Sequence, residues 1–190
     1  VAETGLADRI AKVAGAAAAD LLAYYKRRDP AASPTDRLIT MLSMSNFHVR
    51  SMLLAERKAA RGRAPVWMYS FDWETPAFGG RLKSSHSVEV PFVFDTLDII
   101  GEGHRKPGSQ ALADRVSTTW ATFARSGDPA NESIPAWPAY TAGRRGTMIF
   151  DDECRVDGGV PLFTLAELWR NSPYGTDPGV VIGHLKTSGV

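Results

Sequence analysis

His86 is the residue of this chain best placed to do chemistry. It stands in Ser84-Ser85-His86-Ser87, a short polar stretch between an apolar run upstream, Pro65 to Trp73, and Val88-Glu89-Val90-Pro91-Phe92-Val93-Phe94 downstream. An imidazole in such a loop can keep one nitrogen for a reacting hydroxyl while an acid orients the other. That is the histidine's part in acyl transfer at an ester. Open α/β sheets gather such groups at the carboxyl edge of their strands, and a loop of about a dozen residues after the Val66–Trp73 strand would deliver His86 there. The partner nucleophile is missing. No Gly-x-Ser-x-Gly occurs in the 190 residues, so a serine presented on a strand-to-helix elbow has to lie elsewhere.

The competing candidates are weaker. The histidines at 48, 86, 104 and 184 show no metal-ligand spacing, and neither a metal nor an organic cofactor is expected. His104, in Gly101-Glu102-Gly103-His104-Arg105, reads as a solvated loop residue. His48 could sit near a pocket or cap a helix, and the structural role is favoured. Ser84, Ser85 and Ser87 are poor nucleophile candidates, because neighbouring side chains in an extended loop diverge. Cys154 is the only cysteine. It excludes an internal disulfide and, with no matching His and Asn context, reads as inert.

Composition narrows the class. The hydrophobic fraction of 44% can supply a core, and 22 basic against 21 acidic residues leave a net charge of +1. Nucleic-acid binding needs concentrated positive charge, so it is not expected. The basic clusters have ordinary explanations: Lys26-Arg27-Arg28 closes a helix, where cations complement the dipole, and Arg57, Lys58, Arg61 and Arg63 form a solvated helix face. The longest apolar segment, Val13 to Leu22, is mostly alanine and carries Asp20. It is shorter than the about 20 apolar residues that a membrane span takes. It runs on into an amphipathic pattern, so it is not read as a targeting signal either. A soluble chain follows, with no compartment indicated.

The elements that must position His86 follow from periodicity. Leu6, Ile10, Val13, Ala17, Leu21 and Tyr24 predict an amphipathic helix of roughly twenty residues, ended by Asp29-Pro30. Ser33-Pro34-Thr35-Asp36 opens a second helix, through Leu42. A third runs from about Val49 to Arg61 and stops at Gly62. Val66, Trp67, Tyr69 and Phe71 mark a buried parallel strand within Pro65 to Trp73. Ser109 is expected to cap a helix carrying Leu112, Val116, Trp120 and Phe123 and ending near Gly127. Thr147 to Phe150 is a second strand, Cys154 to Val156 a candidate third, and Thr164-Leu165-Ala166-Glu167 a capping box for a last short helix. Residues 172–190 read as a loose tail beyond a portion, 1–171, of a single domain. Helices alternating with strands give the α/β class. Two clear strands are too few for a complete doubly wound sheet, so the sheet is expected to be shared with residues outside the chain.

Several motifs then recur in one order: Ala64-Pro65-Val66-Trp67-Met68-Tyr69-Ser70-Phe71-Asp72-Trp73, Pro76-Ala77-Phe78-Gly79-Gly80, His86 through Phe94, Trp120-Ala121-Thr122-Phe123-Ala124, Gly127-Asp128-Pro129, Trp137-Pro138 and Tyr140. Over residues 20 to 170 the chain resembles the C-terminal third of a type-B carboxylesterase, of the carboxylesterase/cholinesterase family of α/β hydrolases. The resemblance implies the C-terminal part of an α/β-hydrolase fold, an incomplete sheet flanked by helices. It gives His86 the role of triad histidine and Glu89 that of a structural acid. Met44 and Phe47 precede a helix that lines the substrate pocket in the family, with core packing an equal alternative. Ser87 replaces the small Gly or Ala usual after the histidine. Nucleophile, triad acid and oxyanion glycines fall upstream of Val1 in that family.

The expectation is therefore a segment of a serine hydrolase of small-molecule carboxylic esters. It would depend on the missing N-terminal part of the same domain, be inactive alone, and have neither a nucleic-acid nor a membrane partner. Two alternatives stand beside it: a non-catalytic binding or adhesion member of the same fold, and a truncated product without activity. A Gly-x-Ser-x-Gly upstream of Val1 separates them.

Overall fold

A computed structural model of the chain describes residues 2–158, which fall into two compact units, residues 2–54 and 55–158. The division falls within one helix, and each unit has its own core. The expected capping box at 164–167 and the tail at 172–190 lie outside the described residues.

The first unit is helical. The apolar stripe expected to form one helix forms two, α1 (Glu3–Ala14) and α2 (Ala18–Arg28), separated by a 3₁₀ turn at Gly15–Ala17. Gly15 is the cause. Its φ of 56° ends α1 while its N–H still donates to the Ala11 carbonyl, a backbone position that glycine takes without steric cost. The stripe continues across the break, so Leu6, Ile10 and Leu21 share one buried core with Met41. Helix α3 (Pro34–Ser43) starts as its residues predict: the Ser33 hydroxyl accepts from the Asp36 N–H at 3.1 Å, and Pro34 fills the first turn. Arg37 is buried, and its guanidinium donates to the carbonyls of Asp29 and Pro30 and pairs with Glu3 at 3.7 Å. A π-helical turn, Met44–His48, leads into α4 (Val49–Ala60).

The second unit carries the sheet, in the order β1 (Met68–Phe71), β2 (Thr147–Phe150), β3 (Arg155–Asp157). β1 and β2 are parallel with Met68 opposite Thr147, and β3 returns antiparallel. The parallel pair needs a long crossover. It runs through the single turn α5 (Val90–Val93) and the long α6 (Ser109–Ser126). Trp73, Phe92, Leu112, Val116, Met148 and Phe150 form the core between sheet and helix. α6 stops at Gly127, whose φ of 75° and N–H bond to Phe123 form a left-handed cap. Among the described residues β1 pairs along one edge only, so the sheet is small and partial, with helices packed on it.

Two further expectations need correction. The strand within Pro65–Trp73 is only four residues long and is not buried throughout: Met68 is sealed in but Tyr69 is 41% exposed, and the Val66 carbonyl takes the Tyr140 N–H at 2.7 Å in a loop contact before the ladder begins. Ser109 is not the cap of α6 but its first residue. Gly108 holds the cap position, and the Ser109 hydroxyl bonds instead with both backbone groups of Lys106. The apolar run downstream of His86 is unevenly buried. Pro91 sits in the first turn of α5, and only Phe92 is sealed in, while Val90 is 43% and Phe94 70% exposed.

Candidate active site

His86 is exposed in a turn just beyond the carboxyl end of β1, as its polar setting predicts. The Val88 N–H donates to the Ser85 carbonyl at 3.1 Å, closing a turn with His86 and Ser87 at its centre. Ser87 has φ +71°, the value that the third position of a type II turn requires. Glycine takes this conformation without the penalty that a Cβ brings. The four non-glycine residues with positive φ among the described residues, Phe78, Lys83, Ser87 and Asp95, all lie within residues 78–95. Strained backbone of this kind persists only where surrounding structure enforces it, and it gathers at functional sites.

The turn is held at both ends. Before it, the half-buried Ser84 donates its hydroxyl hydrogen to the carbonyl oxygen of Phe71, the last residue of β1. After it, the Glu89 carbonyl accepts from the N–H groups of Phe92 and Val93, both at 3.0 Å. The Phe92 ring then packs between Phe71 and Trp73, at 5.0 and 4.8 Å between centroids. The imidazole thus projects from a loop whose flanks are fixed to the sheet. Ser84 is committed to the Phe71 carbonyl, which weakens further its claim to be a nucleophile.

Glu89 is half-buried at the start of the next turn. Its carbonyl starts α5. Burial pushes the Tyr69 phenol above its ordinary pKa, and the nearby Glu89 charge adds to the shift. His104 is exposed in a 3₁₀ turn, Glu102–His104, consistent with a solvated loop residue. Burial likewise raises the Cys154 thiol, against the lowering effects of the Asp151 backbone and Arg115, which leaves it little thiolate. Among the described residues no cluster of His, Cys, Asp or Glu could hold a metal ion, and no helix is long and apolar enough to cross a membrane.

Met44 and Phe47 stand in the first unit, together on the π-helical turn. Met44 is half-buried against that unit's core, and Phe47 is 59% exposed. The π turn itself was not foreseen. Sequence offers no proline or glycine to mark it, yet such turns are frequent at functional sites. The second unit also contains an apolar cavity of about 220 Å³ lined by Lys58, Val66, Trp67, Tyr69, Trp120 and Phe123. It lies toward the start of β1, and none of residues 84–89 lines it. Phe123 is 46% exposed there and meets Trp67 edge-on at 5.8 Å.

With this geometry in hand, comparison with known proteins is specific. The model of the carboxylesterase family matches residues 5–160. The para-nitrobenzyl esterase of Bacillus subtilis (strain 168) is 34% identical over 124 residues, 60% of this chain and 24% of that protein. Among solved structures, a Geobacillus stearothermophilus carboxylesterase superposes with a TM-score of 0.72 at 33% identity, over 89% of this chain and 35% of its own. An esterase from Clostridium hathewayi that can hydrolyse aliphatic aromatic polyesters gives 0.65 at 26% identity, over 90% and 33%. The chain spans about a quarter of the length of the curated relatives it matches.

Proposed function

The chain belongs to the carboxylesterase family and shares the α/β-hydrolase fold of its structural neighbours, and from this premise we propose that it supplies the triad histidine, His86, of a serine hydrolase of carboxylic esters. One observation carries the proposal: an exposed imidazole on an anchored turn immediately past the carboxyl end of a parallel strand. In the proposed reaction a serine outside this chain attacks the ester carbonyl carbon while His86 takes the hydroxyl proton. The tetrahedral oxyanion is held by backbone donors, also outside the chain. As the intermediate collapses, the carbon–oxygen bond to the alcohol breaks and His86 returns the proton to the leaving oxygen. A water then gives a proton to His86 and attacks the acyl carbon; the bond to the serine oxygen breaks, His86 returns the proton to that oxygen, and the acid is released. An acid from the preceding part of the fold would orient the second ring nitrogen. Exposed Phe47 and half-buried Met44 are proposed substrate contacts. The upstream part of the same domain is the proposed structural partner, and the 190 residues alone are proposed to be inactive.

The test begins with the coding sequence upstream of Val1. A Gly-x-Ser-x-Gly is expected there, and its absence would remove the proposal. In the polypeptide that joins the two parts, His86→Ala should lower hydrolysis of p-nitrophenyl acetate by roughly three orders of magnitude or more. His104→Ala should leave it nearly intact. Equal effects, or the reverse order, would refute the assignment.

A further inference from the structure

The two ends of the His86 turn are tied by different means. The downstream end is held by the buried Phe92 ring, while the hydrogen bond described for the upstream end joins the Ser84 hydroxyl to the Phe71 carbonyl. The direction of that carbonyl follows from the ladder. The Asp72 N–H donates to Phe150 of β2 at 2.9 Å. A trans peptide places the carbonyl of one residue opposite the N–H of the next, so the Phe71 carbonyl points away from β2, to the edge that β2 does not satisfy. A carbonyl in this place needs a donor, and the loop supplies one from two residues before the imidazole.

We infer that Ser84 is a positioning residue for His86: its hydroxyl ties the histidine loop to the last carbonyl of β1 and so sets where the imidazole can reach. The inference rests on the proposed catalytic role of His86. The tie is short in covalent terms. From Ser84 the backbone enters the Ser85–Val88 turn directly, with its 3.1 Å closing bond and left-handed Ser87. His86 is the second residue of that turn, so a displacement of Ser84 passes to the His86 Cα with one intervening residue to absorb it. His104, on a separate 3₁₀ turn, shares no such tie and serves as an internal control.

The experiment uses the full 190-residue chain with histidines labelled at Cε1, the His86 signal being identified by its loss in His86→Gln. Ser84→Ala is expected to shift and broaden the His86 signal and leave that of His104 in place, and Ser84→Thr, which keeps a hydroxyl, to restore it. In the ester-hydrolysing polypeptide, Ser84→Ala is expected to lower kcat about ten- to a hundredfold, the scale of a small misplacement of a reacting group, with KM nearly unchanged and Ser84→Thr recovering most of the loss. An unmoved His86 signal overturns the inference. So does a Ser84→Ala change that moves His104 as much as His86, which is the mark of a general structural role. The failure of the underlying reading is separately visible. If His86→Ala leaves turnover intact, the catalytic role falls, while the labelled-histidine comparison still decides whether Ser84 positions the ring.

Discussion

Replacing Phe92 with alanine should remove a large part of the second unit's stability, and replacing Phe94, two residues on, should remove almost none. Phe92 is 0% exposed and lies edge-on to two aromatic rings at 5.0 and 4.8 Å, whereas Phe94 is 70% exposed. A buried phenylalanine hides about 150–250 Å². At about 25 cal/mol per Å² that is roughly 4–6 kcal/mol, an upper bound because the unfolded chain already buries some of this area. Alanine keeps the Cβ, which lowers the figure, while the cavity left behind and the two lost ring contacts raise it. The range about 3–5 kcal/mol measured for such truncations is the working value. Phe94→Ala should stay within about 0.5 kcal/mol.

Urea unfolding followed by tryptophan fluorescence reads the difference, since Trp73 touches Phe92 directly. With a slope of about 2 kcal/mol per molar urea, Phe92→Ala should move the midpoint down by about 2 M and Phe94→Ala by less than about 0.3 M. If Phe92→Ala is too unstable to isolate, Phe92→Leu keeps most of the volume and should give the same order with a smaller shift. Equal midpoints for the two positions, or a larger loss at Phe94, would show that α5 is not the anchor assigned to it.

Three further outcomes are expected. Ser87→Gly should raise the thermal midpoint by the equivalent of a few tenths to about 1 kcal/mol, because serine at φ +71° bears a left-handed penalty that glycine lacks; a lower midpoint would contradict the turn geometry. Cys154 should react with a disulfide reagent at pH 8 more slowly than free cysteine, since burial raises its pKa, and an equal rate would count against that environment. The raised pKa of Tyr69 means that the folded state holds the phenolic proton more tightly than the unfolded state. Its contribution is therefore complete below about pH 10, the unfolded value, and is lost as pH rises through the folded value; Tyr69→Phe should flatten the alkaline fall in stability, and identical profiles would refute the shift.

Features written in a few adjacent residues were legible in the sequence. Ser33, Pro34 and Asp36 start α3 with the hydrogen bond their types predict, and Gly127 stops α6. The position of His86 was legible for a similar reason, since a polar break between two apolar runs leaves the chain few ways to place it. Apolar pattern alone misled where two structures share it. The stripe through Leu6, Ile10 and Leu21 stays on one face whether or not Gly15 interrupts the helix, so periodicity could not reveal the break. Val-Pro-Phe-Val-Phe suits a strand or one helical turn equally. What decides it is Pro91, in the first turn of a helix, where a missing N–H costs nothing. The link from Ser84 to Phe71 depends on the path of the chain through space, and no local residue pattern announces it.

The two ties on the His86 turn bear on a requirement that would otherwise conflict with itself. A general base has to be exposed enough to meet substrate, yet an exposed side chain on a loop ordinarily wanders, and small displacements of a reacting group are costly. Burying the imidazole would fix it but would also disfavour its charged form. Here neighbours on either side anchor the backbone that carries it. Both ties reach the same residue by different atoms: Ser84 bonds the Phe71 carbonyl, and Phe92 packs on the Phe71 ring. Phe71 is itself set by its register opposite Phe150 in the ladder. The rigidity of the sheet is thereby passed to the loop while the histidine residue stays exposed. A change in the Phe71 side chain removes the packing half of this anchor and spares the hydrogen-bonded half, because the carbonyl belongs to the backbone. The two halves can therefore be weakened one at a time, Phe71→Leu for the packing and Ser84→Ala for the hydrogen bond, and weakening both together should loosen the turn by more than the sum of the two, since each tie limits the motion that would break the other.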